Sequence, residues 1–177
     1  IDSSDLISIF ESQILSRHID LKARLLKDEG KCFYTIGSSG HEGNAAFGNV
    51  FPYTDTAFLH YRSGPFFLER SKQISNSTPI YDMALSFMAS SEDPISGGRH
   101  KVIGSEVLNI PPQTSTIASH LPKAVGTAFS IDRARDLAPL ESKLFNESIV
   151  LCSFGDASAN HAAALSAFNT ACWVSSQ

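Results

Sequence analysis

The sequence has 177 residues, of which 42% are hydrophobic and 18% are charged, and its net charge is −4. This balance is typical of one globular domain with a sizeable core. The acidic balance argues against a nucleic-acid-binding surface or an anionic membrane surface, and no apolar run is long enough to span a bilayer. The cysteines are odd in number and scattered, which favours reduced thiols in a cytoplasmic protein, or in the mitochondrial matrix of a eukaryote.

Residues 1–89 form an N-terminal segment whose patterns predict helices. Several helix N-cap candidates stand at positions 2–5, and the apolar residues that follow at helical spacing are Ile7, Phe10, Ile14, Leu21 and Leu25. They predict a long amphipathic helix that ends near Gly30. Shorter helices are predicted to begin near Glu42, Pro65 and Pro79, since proline suits a first helical turn.

Residues 90–177 form a second segment in which strand and helix patterns alternate. The stretch from Ser90 to Gly104 is rich in Ser and Gly, and it predicts a long loop of the kind that is functional or mobile. A helix is predicted over about 117–131, and a buried strand from Ser148 to Phe154. The chain is therefore predicted to have an α/β fold.

Gly155 and Asp156 stand where the predicted strand gives way to another helical pattern. Two interpretations of Asp156 are open. It can serve as a helix N-cap, or it can serve a ligand, because open α/β sheets bind ligands at the carboxyl ends of their strands.

Four blocks of the sequence resemble one family, and they occur in the family's order. They are "SSGHEG", "HYRSG", "LNIPPQTSTIASHLPKAVG" and "SIVLCSFGDAS", the last followed by "FNTACW". The final block resembles the first half of the thiamin diphosphate motif, Gly-Asp-Gly and a later Asn. Together they resemble the alpha subunit, or the alpha half of a fused alpha-beta chain, of the thiamin-dependent decarboxylating component of 2-oxo acid dehydrogenase complexes. The resemblance implies a thiamin diphosphate-binding fold, a parallel sheet with flanking helices, incomplete in this chain and preceded by an N-terminal helical segment.

The resemblance also implies a cofactor site for thiamin diphosphate and Mg²⁺. Asp156 is the implied magnesium ligand, because Mg²⁺ takes hard oxygen ligands together with phosphate oxygens. Arg62 is an implied partner of the diphosphate, since a guanidinium binds phosphate through two nitrogens. The full set implied at the diphosphate end is Tyr61, Arg62, Gly155, Asp156, Ala157 and Ser158. Ala157 departs from the family pattern, which usually has Gly there.

Ser115 and Ile117 match the family positions that meet the aminopyrimidine ring, through a hydroxyl and a backbone carbonyl. Thr114, Ser119 and His120 fall where some relatives bind potassium, although imidazole prefers softer metals. Whether a potassium site exists is left open, and the alternative is that these three residues form hydrogen bonds at a helix start. His100, near a loop histidine of the family, is a candidate for acid–base catalysis.

The implied activity is that of a 2-oxo acid dehydrogenase, which decarboxylates pyruvate or a branched-chain 2-oxo acid and passes the acyl group to lipoyl groups. The implied partners are the beta subunit or half, which supplies an essential glutamate, and the lipoyl acyltransferase component. The second metal ligand, an Asn, is expected beyond Gln177, so the chain alone is expected to be inactive. Apolar faces on the helices around 5–27 and 117–131 predict a homo-oligomer.

Two alternatives come from other classes of protein. The first is a non-catalytic binding or assembly module with the same fold. The second is a generic nucleotide-binding domain, which is disfavoured because the sequence has neither a GxGxxG nor a GxxxxGK[ST] phosphate loop.

Overall fold

The computed structural model describes residues 2–33, 36–137 and 148–174, apart from the side chains at 132 and 135. Along the chain, the elements are α1 (Ser3–Asp28), α2 (Asn44–Val50), β1 (Thr56–Phe58), α3 (Gly64–Ser71), α4 (Pro79–Phe87), β2 (Ile103–Ser105), β3 (Ile110–Gln113), α5 (Leu121–Leu137), β4 (Val150–Cys152), a 3₁₀ segment (Asp156–Asn160) and α6 (Ala162–Val174).

A small parallel sheet makes the fold mixed α/β, in agreement with the predicted class. β1 and β4 pair in parallel, with Thr56 opposite Val150 and Phe58 opposite Cys152. β1 is fully buried, whereas every residue of β4 is only partly buried. The prediction of a strand from Ser148 to Phe154, covered on both faces, was therefore too long and too buried.

A buried arginine holds the second sheet to the first. β2 and β3 pair antiparallel beside β1. Arg70 of α3 is completely buried, and its guanidinium donates to the backbone oxygens of Asp55, Leu108 and Pro52. These carbonyls belong to the segments that lead into β1 and β3, so Arg70 fixes the start of both strands.

The buried face of the first helix is half polar and is not the predicted apolar face; it comprises Ile9, Ser12, Ser16, Ile19, Asp20 and Ala23. Its N-terminus is closed by a capping box between Asp2 and Asp5. Ser12, Ser16 and Asp20 are buried. The apolar residues of the predicted face are instead exposed, with fractions of 60% for Ile7, 60% for Phe10, 42% for Ile14, 43% for Leu21 and 56% for Leu25. The polar residues of this face are buried because they meet polar partners: Ser12 donates to Glu69 of α3, and Asp20 accepts from Ser38.

The described residues form two apolar cores. The larger one joins α1, α3 and α4 to β1 and β3, and thus combines residues from both sides of position 90. The smaller one lies between α5 and α6 around Leu121 and Ala164. α5 begins four positions later than predicted and extends to Leu137.

Among the described residues, none of the helices is both long and apolar enough to cross a membrane. The described cysteines, Cys32, Cys152 and Cys172, form no disulfide bond.

Candidate functional site

The carboxyl ends of β1 and β4 meet at one edge of the parallel sheet, and the candidate site lies there. β1 ends at Phe58 and leads into Tyr61 and Arg62, while β4 ends at Cys152 and leads into Asp156. Because the strands are parallel neighbours, these two segments emerge side by side. Residues from distant parts of the sequence are thus brought together at the position where α/β sheets bind ligands.

Arg62 is held in place at this edge. Its Nη1 donates to the backbone oxygen of Gly37 over 2.7 Å, and its guanidinium lies 5.5 Å from the centre of the Tyr61 ring. Within the part of the chain that the structure describes, its other guanidinium nitrogens have no hydrogen-bond partner. The half-buried side chain therefore has a fixed position and retains donors for an anion.

Two histidines, His41 and His60, lie at this edge of the sheet, where His60 contacts Arg62 and faces Gly155. The rings of His41 and His60 stack 4.4 Å apart at an angle of 3°. The backbone N–H of Arg62 donates to Nδ1 of His60, so Nε2 carries the proton in the neutral ring. That nitrogen faces Gly155, where an added Cβ would lie only 3.3 Å away. Gly155 therefore gives β4's exit a close approach to His60.

Burial lowers the pKa of both rings and so favours their neutral form. Burial lowers the pKa of His60 to about 4, and His41, His120 and Arg62 add to the shift. Burial also lowers the pKa of His41, and so does Arg62, while the carboxylates of Glu42 and Asp156 oppose the shift. The charges of Arg62 and Asp156 thus both act on the His41 ring, in opposite directions.

A small polar network fastens the two strand ends to each other. The side-chain amide of Asn44 donates to the hydroxyls of Ser63 and Ser153, each over 3.1 Å, and those hydroxyls lie 3.1 Å apart. Nε2 of His120 donates to the backbone oxygen of Ser153 over 2.7 Å. The segment that follows β4 is therefore tied to α2, to α3 and to the start of α5.

Asp156 is not the cap of an α-helix. It begins the 3₁₀ segment, whose N-terminal flanking residue is Gly155 without a side-chain capping bond, and α6 begins only at Ala162. The Asp156 side chain is exposed and has no hydrogen-bond partner among the described residues. The capping interpretation is therefore wrong for this structure, and a hard oxygen donor remains available at the sheet edge.

The residues after Asp156 differ from the sequence prediction. The N–H of Ser158 donates to the backbone oxygen of Gly155 over 3.0 Å, and the Ser158 residue is buried. Its amide is thus used within the 3₁₀ turn, so the expected opening of an α-helix at this point was wrong. Ala157 is exposed beside Asp156.

The loop before α5 carries the residues predicted to meet the pyrimidine ring. Ser115 is partly buried and Ile117 is 47% exposed. The buried amide of Gln113 donates to the oxygens of Thr114, Thr116 and Ser119, and it shapes this loop from within. His120, which ends the loop, reaches the exit of β4 as described above, so the loop adjoins the candidate site.

The candidate potassium ligands already have partners. Oγ1 of Thr114 lies 3.0 Å from Oγ1 of Thr116, and Oγ of Ser119 donates to the backbone oxygen of Thr116. Nε2 of His120 is bound to Ser153. Thr114 and Ser119 thus bond within the loop before α5, and His120 bonds to the exit of β4; the potassium site stays an open question.

His100 contacts an aromatic residue from the segment after α1. Its ring centre is 6.4 Å from that of Phe33, edge to face. The preceding loop is anchored by Asp93, which accepts hydrogen bonds from Ile95 and Ser96. Mobility of this loop and a catalytic role for His100 both stay predictions.

No protein-family model matches the sequence. Within the described ranges, no group of three or more His, Cys, Asp or Glu side chains could hold a metal ion by itself. A metal at Asp156 would therefore need oxygen ligands from a bound molecule. The sequence did not single out His41, His60, Asn44 and Ser153 as site residues; the signal for all four was their position within or directly beside the blocks that carry the family resemblance.

Proposed function

We propose that this chain is the diphosphate-binding alpha part of a thiamin-dependent 2-oxo acid dehydrogenase component. One observation carries the proposal: Arg62 and Asp156 leave neighbouring parallel strands at the same edge, and the Asp156 carboxylate has no structural partner in the described chain. The Arg62 guanidinium is suited to bind a diphosphate, and the Asp156 carboxylate is suited to bind its magnesium ion.

The donor set fits that pair of ligands. Mg²⁺ is commonly bound by one or two carboxylates together with the phosphates of its partner molecule. Asp156 supplies a carboxylate. Among the described residues, no group of three or more His, Cys, Asp or Glu side chains forms another metal site that would compete with it for Mg²⁺. Arg62, already fixed on Gly37, would bind phosphate oxygens with Tyr61 as its neighbour. Gly155 keeps the backbone close to His60.

Other residues would position the rest of the molecule. Ser115 and Ile117 would meet the pyrimidine ring from the loop before α5. Ala157 and Ser158 would lie beside the diphosphate, and His100 remains the acid–base candidate. When bound, thiamin diphosphate supplies the electron sink that lets a 2-oxo acid lose carbon dioxide. The protein groups here would bind and orient it.

The substrate is pyruvate or a branched-chain 2-oxo acid, and the acyl group would pass to the lipoyl acyltransferase component. A beta part would complete the active site with its glutamate. The exposed apolar residues of α1 supply surface for an additional protein contact.

A non-catalytic assembly module is the second candidate, and one observation favours it. Ser158 uses its N–H inside the 3₁₀ turn, and no α-helix opens there to attract phosphate. Such a module would keep the fold without binding the cofactor.

Calorimetric titration of the chain with thiamin diphosphate and with thiamin, each with Mg²⁺, separates the two candidates. The proposal requires that thiamin diphosphate binds with a measurable heat and that thiamin binds much more weakly, because the site would bind its ligand through the diphosphate. Absence of binding by both molecules would favour the assembly module.

A further inference from the structure

A buried lysine, Lys101, lines a cavity between α3, α4 and β2. Lys101 is 4% exposed, and the cavity measures about 290 Å³. The ammonium lies 4.5 Å from the centre of the Phe87 ring. Within the described chain, it has no hydrogen-bond acceptor and no ion-pair partner. The charge of Asp20 supports the ammonium electrostatically.

The backbone of Lys101 is held in an unusual conformation. Its φ is +57°, a region that favours glycine. The N–H of Lys101 donates to the backbone oxygen of Ser86, and the next N–H, of Val102, donates to the Ser86 hydroxyl. Strained residues persist only where their surroundings fix them, and they are frequent at ligand sites. Here the strain directs a charged side chain into an apolar interior.

The cavity is suited to an apolar ligand with one negative charge. Its walls include Phe67, Met83, Phe87 and Ile103, and its volume is at the small end of ligand pockets, which span roughly 300–1,000 Å³. Burial lowers the pKa of Lys101 to about 8, so the amine is still largely protonated at pH 7, and the more distant Asp20 supports the charge while Arg62 opposes it.

Carboxylates at the cavity limit the charge of the ligand. Asp82, Asp93 and Glu106 line it, and the two oxygens of Asp93 accept bonds from Ile95 and Ser96. A phosphate or dicarboxylate would bring a second negative charge near these groups, which would repel it. The single negative charge of a monocarboxylate would balance the positive charge of the Lys101 ammonium.

We propose that this cavity binds a small aliphatic monocarboxylate, with its carboxylate on the Lys101 ammonium and its hydrocarbon chain between α3, α4 and β2. The cavity is lined by other residues than the strand-edge site, although Arg62 acts on the Lys101 charge, and the proposal does not depend on the proposed function. A charged hydrogen bond in a dry cavity would give the ligand its selectivity.

Titration of the 177-residue chain at pH 7 with hexanoate and with 1-hexanol, which has the same chain without the charge, tests the proposal. Hexanoate should bind at least about tenfold more tightly than hexanol. In Lys101→Met this preference should disappear, and the melting temperature without ligand should not fall, since an unpaired buried charge is removed. Lys123→Met, at an exposed position on α5, is the matched control and should bind like the unchanged chain.

Equal binding of the two probes to the unchanged chain would overturn the proposal, and so would binding of neither. Retention of the preference for hexanoate in Lys101→Met would also overturn it. Should Lys101→Met fail to fold, Lys101→Arg decides: it keeps the charge and should retain the preference, and its loss there would count against the proposal.

Discussion

The imidazole rings of His41 and His60 stack face to face, 4.4 Å apart and within 3° of parallel. The contact joins the turn before α2 to the exit of β1, and Gly155 from the exit of β4 approaches the His60 ring. Two neutral rings can stack in this way, whereas two imidazolium ions would repel each other. Protonation should therefore loosen the candidate site.

Stability should accordingly decrease in mild acid. The unfolded chain binds a proton at His60 near the ordinary pKa of 6.5, and the folded chain only near 4. Between these values the unfolded state holds more protons, so the free energy of unfolding falls as the pH falls, by up to about 1.4 kcal/mol per pH unit for one group. Urea unfolding from pH 7 to pH 4 measures this slope.

The slope should be shallower in His60→Gln, although His41 and His120, whose pKa values burial also lowers, still contribute. Asn160→Gln, at an exposed position, is the control and should leave the slope unchanged, since neither side chain titrates. Identical slopes in both variants would show that His60 does not titrate as the structure requires.

The polar contact between α1 and α3 should be a large contributor to stability. Glu69 is 2% exposed and accepts hydrogen bonds from Ser12 over 2.6 Å, from Ser8 and from Asn49. Ser12→Ala removes a bond to a buried charge and should cost about 1.5–3 kcal/mol of unfolding free energy.

Ser3→Ala, at an exposed position on the same helix, should change the unfolding free energy by less than about 0.5 kcal/mol. Chemical denaturation of both variants gives the comparison. If Ser12→Ala were as harmless as Ser3→Ala, the buried polar residues of α1 would not hold the helix in place.

The exposed apolar residues of α1 should promote self-association. Ile7, Phe10 and Ile14 lie on one side of the helix at helical spacing, and each is at least 42% exposed. Sedimentation velocity should show an oligomer that Phe10→Glu dissociates, because a charge in an apolar interface is costly.

Tyr81→Glu changes a residue on α4 with a similar exposed fraction, 59%, and should leave the oligomer intact. A monomer at every concentration, or equal dissociation by both substitutions, would remove α1 as the association surface.

The sequence predicted a strand end before Gly155, whereas it did not predict which face of the first helix is buried. The apolar run before Gly155 located a strand end, and the Tyr61–Arg62 block lies at the neighbouring strand end, because parallel strands share an edge. The orientation of α1 was not predictable, since its buried polar residues find their partners, Glu69 and Ser38, far along the chain. Local periodicity contains no information about such partners.

The role of Asp156 was ambiguous in the sequence for a different reason. A carboxylate before a helical pattern suits a cap and a metal ligand equally. The hydrogen bond from the Ser158 N–H to Gly155 turns the chain into a 3₁₀ segment and moves the start of α6 to Ala162. Because of this backbone turn, the Asp156 carboxylate caps no α-helix. The residue identities alone do not specify the turn.

Calorimetric titration of thiamin diphosphate into Asp156→Asn, with and without Mg²⁺, tests the central claim most directly. Glu92→Gln removes the same charge from an exposed position in the loop after α4 and is the matched control. We expect Mg²⁺-dependent binding in the unchanged chain and in Glu92→Gln, and binding weakened at least about tenfold, with its Mg²⁺ dependence lost, in Asp156→Asn. Equally tight, Mg²⁺-dependent binding by Asp156→Asn would contradict the assignment of Asp156 as the metal ligand.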